Sequence, residues 1–160
     1  TERIKDTNAL LLDTRKTIPG LRLAQKYAVK IGGGQNHRVG LFDAFLIKEN
    51  HIKAAGGISN AIKKAKKVNN SARIEIEVET IDELKTALEH KPDWILLDNF
   101  SISDMVRAVK IAKQKAKLEA SGGISDADNL LEIAKTGVDF ISMGELTKNI
   151  KAVDLSLLLD

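Results

Sequence analysis

Six times along the chain a short apolar run gives way to a helical pattern, and each run ends in polar or glycine-rich residues. The runs are 10–12, 44–47, 74–78, 94–97, 118–120 and 140–143. Most are apolar without strict alternation, as strands buried on both faces of a parallel sheet are. Residues 74–79 are the exception and alternate isoleucine or valine with glutamate. Repeated strand–helix units predict an α/β fold with right-handed crossovers, either a doubly wound sheet or a β/α barrel.

The helices carry start and stop signals. Thr80 precedes Glu83, Ser101 precedes Asp104 and Ser125 precedes Asp128, each at capping-box spacing. Leu84, Ala87 and Leu88 share one helical face, as do Met105, Val109 and Ala112, and Leu130, Ile133 and Ala134. Gly137 is placed to stop the last helix. Lys63, Lys64, Lys66 and Lys67 read as a solvated face.

Composition narrows the function classes. A length of 160 residues suits one domain with a real core. A net charge of +3 is too small to argue for nucleic acid but agrees with anionic small substrates. The absence of cysteine rules out disulfides, thiolate zinc sites and cysteine nucleophiles within these residues. No apolar run is long enough to span a membrane, and no signal peptide opens the chain. The expected compartment is the cytoplasm.

In both candidate folds the site is built at the carboxyl ends of the strands. Those ends read Asp13-Thr14-Arg15-Lys16, Lys48-Glu49-Asn50, Glu79, Asp98-Asn99, Ser121-Gly122-Gly123 and Ser142-Met143-Gly144. The last two are candidate phosphate turns, since backbone N–H groups there can point at an anion. The alternative is a pair of tight turns that need glycine for their backbone geometry. Gly56-Gly57-Ile58-Ser59 is a weaker third candidate. Arg15, Lys16, Arg38 and Lys48, with His37, suit a ligand of two or three negative charges. Glu79 and Asp98 could hold Mg²⁺, bind ribose hydroxyls or favour an oxocarbenium ion, or else pair with the nearby cations. His51 and His90 are expected at the surface or in packing.

These residues resemble the quinolinate phosphoribosyltransferases. The resemblance runs through Thr14-Arg15-Lys16-Thr17-Ile18-Pro19-Gly20-Leu21-Arg22, Gly33-Gly34 with His37-Arg38, and Leu46-Ile47-Lys48-Glu49-Asn50-His51. It continues through Glu77-Val78-Glu79, Leu96-Leu97-Asp98-Asn99-Phe100, Glu119-Ala120-Ser121-Gly122-Gly123-Ile124 and Ile141-Ser142-Met143-Gly144. It implies an open, incompletely closed β/α barrel, TIM-like, of the type II phosphoribosyltransferases. It also implies a Mg²⁺-dependent reaction of quinolinate with phosphoribosyl pyrophosphate, giving nicotinate mononucleotide, pyrophosphate and carbon dioxide.

By the same resemblance Arg15, Lys16, His37, Arg38 and Lys48 would bind quinolinate, with Thr14 beside them. Glu79 and Asp98 would face the ribose and metal, and Lys16, Glu79 and Asp98 would be catalytic. Ser121, Gly122 and Gly123, with Ser142, Met143 and Gly144, would bind phosphate. The family has an N-terminal α/β sandwich domain and is a homodimer or higher homo-oligomer in which a neighbouring subunit supplies an arginine. Residues 1–160 are therefore expected to be the catalytic barrel as a fragment, without that domain and the start of the barrel, and inactive alone. The rival expectations are a paralogue acting on another acceptor, such as those encoded with molybdenum transport genes, a non-catalytic phosphosugar-binding barrel, and a folding and assembly module.

Overall fold

The computed structural model describes residues 1–124 and 127–159, the side chains of residues 127 and 128 excepted. Its strands are β1 (Leu10–Leu12), β2 (Ala44–Ile47), β3 (Arg73–Val78), β4 (Trp94–Asp98), β5 (Lys117–Ser121) and β6 (Phe140–Ser142). They form one parallel sheet in the order β1-β6-β5-β4-β3-β2. A doubly wound sheet would reverse direction at a switch point. This order instead runs once around a ring and breaks only between β1 and β2, so the sheet is an open barrel. Residue 35 partly covers the free edge of β1, through an isolated bridge from Gln35 to Leu12.

The helices are α1 (Arg22–Ile31), α2 (Glu49–Ala55), α3 (Ile58–Val68), α4 (Ile81–Glu89), α5 (Ile102–Ala112), α6 (Ala127–Lys135) and α7 (Glu145–Lys148). The side chains of Thr80 and Ser101 accept the backbone N–H groups of Glu83 and Asp104, so both caps form as their spacing predicts. The Ser125–Asp128 cap lies outside the described residues. Gly137 follows α6 with φ 92°, a left-handed conformation suited to stopping a helix. Gly56 and Gly57 make the α2–α3 turn, at φ 82° and 119°, and do not line the main cavity.

The side chains of each strand divide cleanly. Leu11, Ile47, Ile74, Ile76, Val78, Ile95, Leu97, Leu118, Ala120, Ile141 and Met143 face outward into one core. There they meet Ile62, Leu84, Ala87, Met105, Ala108, Leu130 and Ile133 of the helices. The opposite parity faces the barrel interior and mixes polar with apolar side chains. This explains the alternation of β3: its glutamates do not face solvent, since Glu75 is 0% exposed and Glu77 is buried at the cavity wall. At the base of the interior Trp94 stacks on Phe140, with ring centroids 4.0 Å apart, and the Arg73 guanidinium lies over Trp94.

α1 inverts the usual pattern. It buries Gln25 and Lys26 and exposes Leu23, Tyr27 and Ile31. Both buried polar residues are spoken for. Gln25 accepts from the Ile18 N–H and donates to the Thr147 carbonyl, each at 2.8 Å, and Lys26 pairs with Asp13.

Candidate active site

A cavity of about 530 Å³ opens at the carboxyl ends of the strands. Thr14, Arg15, Lys16, His37, Arg38, Lys48, Asp98, Ser121, Gly122, Gly123, Ser142 and Gly144 line it together. These come from five strand ends and from the segment that fills the gap between β1 and β2. Two expected residues lie elsewhere. Met143 has outward parity and is buried in the helix-facing core. Glu79 lies beyond the end of β3, where the chain turns into α4, and its N–H donates to Glu83 at 2.8 Å. It borders an adjoining groove with Glu49, Ile52, Lys53 and Glu83, which meets the cavity at Glu77. The β3 acid on the cavity wall is Glu77.

The cationic wall is built on buried Asp13. One carboxylate oxygen takes the Lys26 ammonium and the His37 N–H, the latter at 2.8 Å, and the other takes Asn36 Nδ2 at 2.6 Å. Lys26 also donates to the His37 carbonyl at 3.0 Å. Asp13 thus pins the turn that presents His37 and Arg38. Arg22 holds the next turn, donating to the Arg15 carbonyl and to the Thr17 hydroxyl at 3.1 Å each. The Thr147 hydroxyl donates to the Lys16 carbonyl at 2.7 Å.

The cations converge. Arg38 is buried, and its Nη1 donates to the free-edge carbonyl of Ala44 at 3.1 Å. Burial, and then the neighbouring Arg15 charge, lower its pKa. Two guanidiniums placed so that they repel form a site waiting for an anion. Lys48 Nζ pairs with Glu77 at 2.8 Å. Burial raises the Glu77 carboxyl, against the pull of Lys48. Lys148 adds another cation to the lining.

The glycine turns line the same cavity. Gly122 has φ 92°, and a Cβ there would sit 2.3 Å from Asn99 Oδ1 and 2.8 Å from Asn99 N. Any side chain would strain the backbone and displace Asn99. Asn99 itself has φ 55° and donates from Nδ2 to Asp98 at 3.1 Å. The turn and the Asp98 carboxylate are therefore set by one another.

Beneath the cations sits a group that sequence reasoning missed. His37 Nε2 is 2.9 Å from Glu75 and 3.3 Å from Glu119, and all three side chains are buried. Burial raises Glu75 to about 7, with the nearby Glu119 charge adding to it. Burial lowers the pKa of the His37 ring, and the two carboxylates beside Nε2 push it back up. Yet Nδ1 accepts the Arg38 N–H at 2.7 Å, so the only ring proton is on Nε2. The directional contact decides the tautomer: the ring is neutral, with its Nε2–H aimed at the two carboxylates. The Glu-Ile-Glu alternation was the available signal, but alternation alone does not say which face is wet.

His51 and His90 stay outside the cavity. His51 Nδ1 accepts the Lys48 N–H at the start of α2, and His90 contacts the Ser59 hydroxyl.

Comparison with known proteins agrees with this arrangement. The family pattern described as quinolinate phosphoribosyl transferase, C-terminal domain, matches residues 1–158. A carboxylating nicotinate-nucleotide pyrophosphorylase of Mycobacterium leprae is 41% identical over 98% of the chain and 56% of its own length. A probable enzyme of the same name from Methanocaldococcus jannaschii is 48% identical over 94% of the chain and 55% of its own. The solved nicotinate-nucleotide pyrophosphorylase of Francisella tularensis superposes with a TM-score of 0.94 at 59% identity, covering 97% of this chain and 55% of that one. The thiamine phosphate pyrophosphorylase of Pyrococcus furiosus shares the fold alone, with a TM-score of 0.60 at 18% identity over 89% of this chain and 87% of that one. The chain spans about half the length of the curated relatives it matches.

Proposed function

Because the chain belongs to the quinolinate phosphoribosyltransferase family, we propose that the complete protein transfers phosphoribosyl from phosphoribosyl pyrophosphate to quinolinate with decarboxylation, giving nicotinate mononucleotide for NAD biosynthesis. The observation that carries this reading is that Arg15, Lys16, Arg38 and Lys48 line one cavity together with the Gly122 and Gly144 turns. The cations suit a dicarboxylate and the turns a phosphate, and about 530 Å³ lies within the usual range for a small-molecule site.

The roles follow from position. Arg15 and Arg38, with Lys16 and Lys48, hold the two carboxylates and orient the ring nitrogen toward the anomeric carbon of the ribose. Ser121, Gly122, Gly123, Ser142 and Gly144 receive phosphate groups. Asp98 favours positive charge as it develops on the ribose. The pyridinium formed by ribosylation then serves as the electron sink for loss of the adjacent carboxylate.

Mg²⁺ is part of the proposal. Mg²⁺ wants hard oxygens and is commonly held by one or two carboxylates with substrate phosphates. Asp98 fits, as a half-buried carboxylate on the cavity wall whose oxygens take only Asn99 Nδ2 among the described residues. Glu79 does not fit, because it borders another groove. When bound, the ion would neutralise charge on the departing pyrophosphate.

We also propose a homodimer or higher homo-oligomer. The exposed row of Leu23, Tyr27 and Ile31 on α1 supports it, since apolar residues at helical spacing are seldom left to water. No helix among the described residues is long and apolar enough to cross a membrane. We keep the cytoplasm as the proposed compartment, to be checked by cell fractionation.

The test is product formation by the complete protein with phosphoribosyl pyrophosphate, Mg²⁺ and either quinolinate or nicotinate. Nicotinate leaves cations unpaired, and sites built to pair a missing group reject such analogues by roughly a thousandfold or more. Equal use of the two acids would refute the assignment, and a preference for some other acceptor would indicate a paralogue.

A further inference from the structure

The reaction proposed above has one requirement beyond binding. A carbon–carboxylate bond is replaced by a carbon–hydrogen bond, so each turnover consumes a proton at ring carbon 2. The guanidiniums of Arg15 and Arg38 do not give up protons at neutral pH. Lys48 is engaged with Glu77. The floor of the cavity offers a different source.

His37, Glu75 and Glu119 present ligand atoms that all lie within 4.8 Å of one another. Nε2 of His37 and all four carboxylate oxygens are buried and have no well-directed hydrogen bond among the described residues. Glu119 is 1% exposed and lines the cavity floor, while Glu75 lies behind it at 0%. Two carboxylates confined around one neutral imidazole cannot both stay ionised at low cost, so the unit keeps an additional proton between them. Trp94 meets the His37 ring edge-on, at 6.1 Å and 86°. Trp94 thus lies on one side of the cluster, and Glu119 and His37 meet the cavity on the other.

We propose that Glu119, backed by Glu75 and His37, is the catalytic acid that delivers the proton replacing the lost carboxylate. This rests on the reading of the site given above. In the step, the bond between ring carbon 2 and its carboxylate breaks, carbon dioxide departs, and the electron pair remains on carbon 2. The Glu119 O–H bond then breaks and its proton forms the new carbon–hydrogen bond. Glu119 is left as a carboxylate facing the Nε2–H of His37, and a proton from water restores it after product leaves.

The experiment is rapid-quench kinetics on the complete enzyme with both substrates and Mg²⁺, comparing wild type with Glu119→Gln. The amide keeps the shape and a polar partner for His37 but cannot act as an acid. First-turnover pyrophosphate release should stay within about threefold of wild type. Nicotinate mononucleotide formation should fall by on the order of a hundredfold or more, the usual worth of a general acid, and N-ribosylated quinolinate should accumulate. Glu119→Asp, which keeps the acid but withdraws it by one methylene, should give the same separation to a smaller degree, and it serves if the amide variant does not fold. Pyrophosphate release and product formation falling together would mean a structural role and overturn the proposal. So would product formation that keeps pace with pyrophosphate release in both variants. A wild-type enzyme that forms no nicotinate mononucleotide would instead refute the parent reading.

Discussion

Asp13 is fully buried, yet it receives a lysine, an asparagine and a backbone N–H. Asp13→Asn would leave the Lys26 ammonium buried without its counter-charge, a change that typically costs about 3–5 kcal/mol. We expect a large drop in melting temperature and, because the His37–Arg38 turn loosens, weaker quinolinate binding by calorimetry. An unchanged melting temperature would show that Lys26 is stabilised some other way. Asp98→Asn should behave differently. It keeps shape and a hydrogen bond to Asn99 but loses the charge that favours an oxocarbenium-like state, so kcat should fall more than ground-state binding. A raised KM with normal kcat would make Asp98 an ordinary binding residue.

The buried cluster also gives stability a pH dependence. Glu75 is raised from 4.5 to about 7, so between those values the folded protein holds a proton that the unfolded chain has released. Stability from this group is therefore lost as pH rises through that window. Melting temperatures across that range should slope downward less steeply in Glu75→Gln than in wild type, and identical slopes would contradict the assignment. At this scale the sequence was only partly legible. Arg15, Lys16, Lys48 and Asp98 were readable as cavity residues because each stands at or just past the end of an apolar run, and Arg38 because it follows the glycine loop 32–34. Glu75 and Glu119 were not, because polar residues in mid-strand look like a solvated face until the barrel curls them inward. Counting from the end of a strand chose Glu79, but only Glu77, still within the ladder, has its direction fixed by the sheet.

Elements were more legible than residues. The apolar runs located all six strands within about one residue at most ends, since only helix-covered strands of a parallel sheet are apolar on successive positions. Thr80 and Ser101 were identified as caps because a hydroxyl three residues before an acid has a local geometric use. Thr80→Ala should cost about 1 kcal/mol by chemical denaturation, with little effect on kcat, as α4 packs outside the barrel. Loss of activity without loss of stability would place Thr80 nearer the chemistry than it lies here. The turn after β5 is the opposite case. Gly122→Val meets both a left-handed φ and the Asn99 backbone, so affinity for phosphoribosyl pyrophosphate should fall while that for quinolinate changes less. Equal loss of both ligands would merge what are drawn here as two walls. What the sequence could not show is that α1 is turned inside out, because burial of Gln25 and Lys26 depends on partners far away in the chain.

For the whole molecule, the strand–helix pattern alone left a choice between two α/β topologies, the family resemblance implied the open barrel, and the strand order bears that out as a ring with one opening. A closed barrel has its radius fixed by strand number and stagger. This one does not, since β1 and β2 share no ladder and the segment between them bridges the opening with a single backbone pairing at Gln35. The width of the site is therefore an elastic variable. A dianion drawing Arg15 and Arg38 toward each other pulls on both lips of the opening, because one arginine follows β1 and the other holds the Ala44 carbonyl of β2. Binding then acts as a clasp, and its tension should be visible as slower amide deuterium exchange at Asp13 and Gln35 on adding quinolinate, with β4 and β5 unaffected. The ring would owe its final circumference to the molecule it encloses.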